Sequence, residues 1–151
     1  MPQQSGTWTV NNGALNVNFT QTTGKKRSDL AVIVGGNGTP VTINTGTYPI
    51  MAIKFNKPAT CNVTFDTNLG SFGNGSNKYS TDLASKDVYY WDMSALTLGS
   101  SGAHPNEQIT FDKTFQFKIA DVPDTDPAMG YSVQWIRTFE NKQALMDFVN
   151  R

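Results

Sequence analysis

Catalysis and metal binding need nucleophiles, bases or ligands held close together, and this chain is thin in all three. Among its 151 residues there is one cysteine, Cys61, and one histidine, His104. A single cysteine excludes an internal disulfide and a thiolate zinc site, and one histidine leaves little for imidazole chemistry. His104 stands between Ala103 and Pro105 in a Gly/Ser-rich stretch, without a neighbour that would orient a catalytic or ligating ring. Cys61 alternates with Val63 and Phe65 against Asn62 and Thr64, which predicts a strand with the thiol packed inward as a small hydrophobe. Glycoside hydrolysis requires an acid paired with a base or nucleophile across a sugar. The only glutamates are Glu107 and Glu140, and most aspartates fall in predicted loops, so the chain reads as non-catalytic. Asp121, Asp124 and Asp126 in DVPDTDP offer hard oxygen donors to a structural calcium, although their spacing matches no defined calcium loop. The glycines of VGGNGTP are followed by no helix that would cradle a phosphate, and no cofactor is expected.

What the chain does carry is aromatic surface interleaved with amides, hydroxyls and carboxylates. Sugar rings offer an apolar C–H face and a girdle of hydroxyls, which such side chains recognise by stacking and hydrogen bonding. In VYYWDMS, alternation sends Tyr89, Trp91 and Met93 one way and Val88, Tyr90 and Asp92 the other. In FQFKIAD, Phe115, Phe117 and Ile119 oppose Gln116, Lys118 and Ala120, and in YSVQWIRTF, Tyr131, Val133, Trp135, Arg137 and Phe139 oppose Ser132, Gln134, Ile136 and Thr138. The apolar sets predict core. The other set predicts a polar floor bearing Tyr90, Asp92, Gln116, Lys118 and Gln134, with Arg137 as a further donor. Phe72 and Tyr79 from a glycine-rich loop would wall it, and Asn74 and Asn77 would reach in. Tyr90 is the leading stacking platform; Trp91 lies opposite it by alternation and reaches sugar only if the strand end twists or bulges, or if its own face is the open one.

The elements that must position these residues are strands. Period-two alternation recurs almost throughout, and strands are predicted at residues 14–19, 30–34 (a continuous apolar run), 41–43, 50–55, 61–65, 88–93, 109–111, 115–119 and 131–139, separated by Gly, Asn and Pro turns. Helical period appears once, after residue 140, where Ala144, Leu145, Phe148 and Val149 share a face behind a plausible N-cap, Asn141. That helix, Lys142–Val149, is too short to persist undocked, and docking on one edge or end of the sheets is expected. The fold class implied is all-β, an antiparallel β-sandwich or jelly roll with a short C-terminal helix, forming one domain over residues 1–151. The 18 Thr, 14 Asn and 13 Gly suit strands and turns. Twelve basic residues balance twelve acidic ones, leaving no electrostatic footprint for nucleic acid or anionic membrane. The N-terminus MPQQSGTWTV has neither the basic start nor the apolar run of a signal peptide, as expected of a piece of a larger protein.

The order YPIMAIKFNKP (residues 48–58), VYYWDMS (88–94), FQFKIADV (115–122) and WIRTFEN (135–141) before a short helix resembles a β-sandwich family from gut and rumen Bacteroidetes. Its members include xylan-binding modules inserted within the catalytic domain of glycoside hydrolase family ten xylanases. The resemblance spans roughly residues 30–148 and implies a non-catalytic carbohydrate-binding module for a β-linked plant polysaccharide. The expected partners are xylan or xylooligosaccharide, with β-glucan second, and a parent glycoside hydrolase in the same polypeptide, at the bacterial cell surface or outside the cell. A structural or adhesive β-sandwich of a cell-surface protein is the alternative.

Overall fold

The computed structural model describes residues 6–21, 24–32, 41–67, 69–99, 108–111 and 115–151. Eleven strands are present among them: β1 Gly6–Asn11, β2 Ala14–Phe19, β3 Lys26–Val32, β4 Val41–Asn44, β5 Ile50–Phe55, β6 Asn62–Thr67, β7 Gly70–Ser71, β8 Val88–Asp92, β9 Gln108–Phe111, β10 Phe115–Val122 and β11 Gly130–Phe139. One α-helix, α1 Lys142–Val149, follows, its N-terminus capped by the Asn141 side chain, which accepts from the Ala144 amide at 2.8 Å. The strands form a five-stranded sheet in the order β1-β2-β11-β5-β8, a four-stranded sheet β3-β10-β6-β7 and a ribbon β4-β9. All pairings are antiparallel. This is the all-β sandwich expected, with its single short helix at the C-terminal end.

The inner faces of the two sheets meet over an aromatic core. Val17, Met51, Ile53, Phe55, Tyr89, Trp91, Tyr131 and Val133 come from the first sheet, and Val63, Phe65, Phe115, Phe117 and Ile119 from the second. Phe65 is its centre, stacked on Phe117 at 5.2 Å and Phe72 at 4.9 Å and edge-on to Trp91 at 5.6 Å, geometries that ring quadrupoles favour.

The helix docks on the outer face of the five-stranded sheet, not on an edge or end. Leu145, fully buried, seats α1 on Ile50, Ala52, Val88, Tyr90 and Phe139, with Trp135 and Phe148 at the margin. At β5 and β8 the five-stranded sheet is therefore covered on both faces, which explains why Val88, Tyr89, Tyr90 and Trp91 are all buried in succession.

β11 departs from simple alternation. Its register on β5 shifts between Val133 and Trp135, leaving Gln134 as a bulged residue without a partner. Beyond the bulge Ile136 and Thr138 pair with the inward-facing Ile53 and Met51, while Trp135, Arg137 and Phe139 pair with Lys54, Ala52 and Ile50 on the helix side. The facing predicted for residues 135–139 is thus reversed, because one extra residue flips every side chain after it.

Candidate functional site

The residues expected to form one polar floor separate into three environments. Tyr90, Asp92 and Arg137 do share a face, since β5 pairs Ala52 with both Tyr90 and Arg137, and Ile50 with Asp92. That face lies beneath α1. Tyr90 is 5% exposed, and its hydroxyl donates to Asp82 at 2.7 Å. Burial, then the neighbouring Asp82 carboxylate, pushes its phenol pKa up. Arg137 is spread over the Phe148 ring at 4.5 Å and Phe139 at 5.5 Å. Asp92 accepts from the Ser94 amide at 3.0 Å and hydroxyl at 2.6 Å, closing a turn. Gln134 is exposed on the bulge, away from these groups.

The stacking platforms are core. Trp91 and Phe72 are wholly buried, and Tyr79 packs edge-on to Tyr89 and Trp91 at 5.2 and 5.8 Å. Burial raises the Tyr79 phenol pKa. A ring packed on both sides by protein has no face left for a sugar, so Tyr90, Trp91 and Phe72 are corrected from ligand contacts to structural residues. The Trp91 Nε1–H finds no hydrogen-bond acceptor among the described residues.

Gln116 and Lys118 lie on the outer face of the four-stranded sheet, apart from Tyr90 and Asp92. Register sets Gln116 between Ala31 and Asp66, and Lys118 between Asp29 and Thr64. Lys118 pairs with Asp66 at 2.8 Å, and Gln116 donates to the same carboxylate at 3.4 Å. The glycine-rich loop folds onto this sheet. Asn77, in the left-handed region at φ 61°, accepts from the Val63 amide at 2.9 Å and donates to Asn62 at 2.8 Å. Asn74 is exposed with φ 53°. Together Asn62, Thr64, Asp66, Ser76, Lys118 and Asp121 line a polar cleft of about 300 Å³ that Arg27 closes on the β3 side.

A second cleft, of about 450 Å³, lies at the open side of the sandwich between β1-β2 and β3, lined by Trp8, Leu15, Ser28, Asp29, Leu30 and Ala31 among others. β2 packs against β3, and β1, the outermost strand of its sheet, extends past that edge with all six residues exposed. Trp8 pairs with the inward-facing Val17 and so points to the core side of the sheet. With no strand beneath it among the described residues, the indole stays 68% exposed. At the cleft's rim Arg27 grips Asp29 through both guanidinium arms, at 2.9 and 2.8 Å, which raises the Arg27 pKa further.

Trp8 is the residue sequence reading missed. The signal was there: GTWTVN and ALNVNF alternate around Asn12-Gly13, and both turn residues adopt positive φ, 53° and 74°, as a two-residue hairpin turn of type I′ requires.

The acidic loop does not assemble a calcium site. Asp121 accepts from Asn62 at 2.7 Å and faces Lys25 at 3.8 Å, whereas Asp124 accepts from the Gly24 amide at 3.3 Å. Asp126 accepts from the Thr60 and Ala128 amides, which hold its carboxyl below its ordinary pKa. The cation its backbone carbonyls take is the buried Lys26 ammonium, which donates to Asp126 O at 3.1 Å and Ala128 O at 2.7 Å. Among the described residues no three His, Cys, Asp or Glu side chains gather to hold a metal ion. Cys61 is half-buried rather than fully inward, its Sγ donating to Pro58 O at 3.4 Å, and burial raises the thiol pKa. His104, Glu107 and the turn at residues 35–38 lie outside the described residues.

No curated protein and no solved structure matches the chain. A family model aligns with residues 1–145, nearly the whole length and both clefts included, and the chain therefore belongs to the family described as Domain of unknown function (DUF4979).

Proposed function

We propose that this protein is a non-catalytic carbohydrate-binding module that holds a neutral β-linked plant polysaccharide, xylan first, and keeps a linked glycoside hydrolase near its substrate at the bacterial cell surface or outside the cell. The gain for the hydrolase is effective concentration. One observation carries the reading: Trp8 presents an open indole face over a cleft that also holds polar groups of β3. An exposed apolar ring beside hydrogen-bonding groups in one cleft matches the two-sided chemistry of a sugar. The carboxylates nearby serve as acceptors for Arg27, Lys118 and Asn62. Affinity electrophoresis through xylan, mixed-linkage glucan and mannan gels tests the proposal. Retardation that disappears in Trp8→Ala is the expected result, and equal mobility in all gels overturns it.

The adhesive alternative has its own support. β1 and β3 are both edge strands and flank the same cleft, and an edge with unpaired amides and carbonyls is a template for a partner's strand. Reducing-sugar release on the same polymers, absent under both readings, tests the non-catalytic assignment.

A further inference from the structure

We infer that the Trp8 cleft and the polar cleft are two halves of one track, so that the ligand is an extended neutral glycan several sugar units long rather than a mono- or disaccharide. The inference rests on the carbohydrate reading and deepens it. β3 is the wall the clefts share: Asp29 and Ala31 line the first and Arg27 the second. The first cleft is bounded by both faces of that strand. Ser28 and Leu30 face the sandwich interior, whereas Asp29 and Ala31 stand opposite Lys118 and Gln116 on the outer face. It therefore opens onto the surface that holds the second. The bidentate Arg27–Asp29 pair joins the two linings, Asp29 from the first cleft and Arg27 from the second.

Register sets the length of the crossing. Lys118 lies directly opposite Asp29 on one side and Thr64 on the other, so passing from the first cleft to Thr64 takes two strand spacings, about 10 Å. The stacking position on Trp8 adds further length on the far side of β3. Along the way the groups change from an indole to hydroxyls and amides, Thr64, Ser76 and Asn62, which both donate and accept as sugar hydroxyls do. The charges cancel locally. Arg27 is matched by Asp29, Lys118 by Asp66 and Lys25 by Asp121, so the surface offers no net field to an anionic polymer and suits an uncharged one.

Calorimetric titration of the whole chain with xylotriose and xylohexaose, and with the cello-oligosaccharides of the same lengths, tests the track. The hexaose is expected to bind about tenfold or more tightly than the triose. Lys118→Ala, and Lys118→Met as a second variant that keeps the apolar stem, are expected to lower hexaose affinity several-fold while leaving triose affinity unchanged, with no more than a slight fall in melting temperature from the lost Asp66 pair. Equal affinity for triose and hexaose, or a hexaose affinity indifferent to both Lys118 variants, overturns the track and leaves the Trp8 site standing. If no oligosaccharide and no polymer binds, the carbohydrate reading falls and the track with it.

Discussion

The Tyr90 hydroxyl and the Lys142 ammonium hold the two oxygens of one carboxylate, Asp82. The contact ties the first residue of α1 to a sheet residue and to the turn before β8, so a tyrosine that alternation offered to a ligand anchors the helix instead. Lys142, and then Tyr90, hold the Asp82 carboxyl below its ordinary pKa of 3.8. A depressed carboxyl stabilises the fold while ionised, so its contribution is full above the unfolded pKa and is lost as pH falls through the lower folded value. Because Asp82 is 44% exposed, solvent screens the pair and its contribution is small. Asp82→Asn is therefore expected to lower the melting temperature slightly at pH 7. The difference from the parent should vanish at a pH well below 3.8. A difference that persists unchanged at that pH would refute the linkage.

Leu145, rather than Phe148, should carry the docking of α1. Leu145 is fully buried, whereas Phe148 is only half-buried, set edge-on to Trp135 at 5.2 Å beneath the guanidinium of Arg137. Leu145→Ala is expected to cost about 2–5 kcal/mol and Phe148→Ala distinctly less. Urea unfolding of both variants, monitored by tryptophan fluorescence, gives the order directly.

Strand identity was largely legible because it depends on local alternation and turn chemistry: β5 and α1 fall on the residues the pattern marks. Which face of a strand meets solvent depends on what packs there, and that information is not local. Tyr90 and Trp91 are adjacent, so in a two-layer sandwich one of them would be exposed; the docking of α1 on the second face buries both. The bulge at Gln134 is likewise silent in a period-two pattern, since Trp135 and Ile136 are equally apolar. Trp8 is the converse case. Its strand and turn are readable, but its exposure follows from β1 lying beyond the edge strand of the opposite sheet, a property of sheet order.

Lys26 is expected to do for the acidic loop what a calcium ion would otherwise do. Its ammonium is buried and satisfies the carbonyls of Asp126 and Ala128. Lys26→Met should cost about 1–3 kcal/mol, because it leaves buried acceptors without a donor. Calcium and chelator should each leave the parent's melting temperature unchanged. A calcium-dependent rise would mean that the carboxylates of Asp121, Asp124 and Asp126 regroup around a metal, and it would overturn this account.

Trp8 and Trp91 should separate binding from folding. Trp91 is wholly enclosed by Phe65, Tyr79 and Phe117, so Trp91→Ala is expected to cost about 3–5 kcal/mol of stability. Any loss of binding in that variant follows from loss of structure. Trp8 is largely exposed, so Trp8→Ala should change stability by no more than about 0.5 kcal/mol. If the indole stacks on a sugar, the same truncation removes about 1–2 kcal/mol of binding, a weakening of about 5–30-fold. Because a neutral glycan displaces no condensed counterions, parent affinity should hold nearly constant between roughly 50 and 200 mM salt, where a polyanion ligand would lose orders of magnitude. Calorimetry with xylohexaose on the parent and Trp8→Ala, at both salt concentrations and with melting temperatures recorded alongside, measures all of these. A Trp8→Ala protein that is stable and binds like the parent would remove the indole from the site, and a steep salt dependence would show that the ligand is charged.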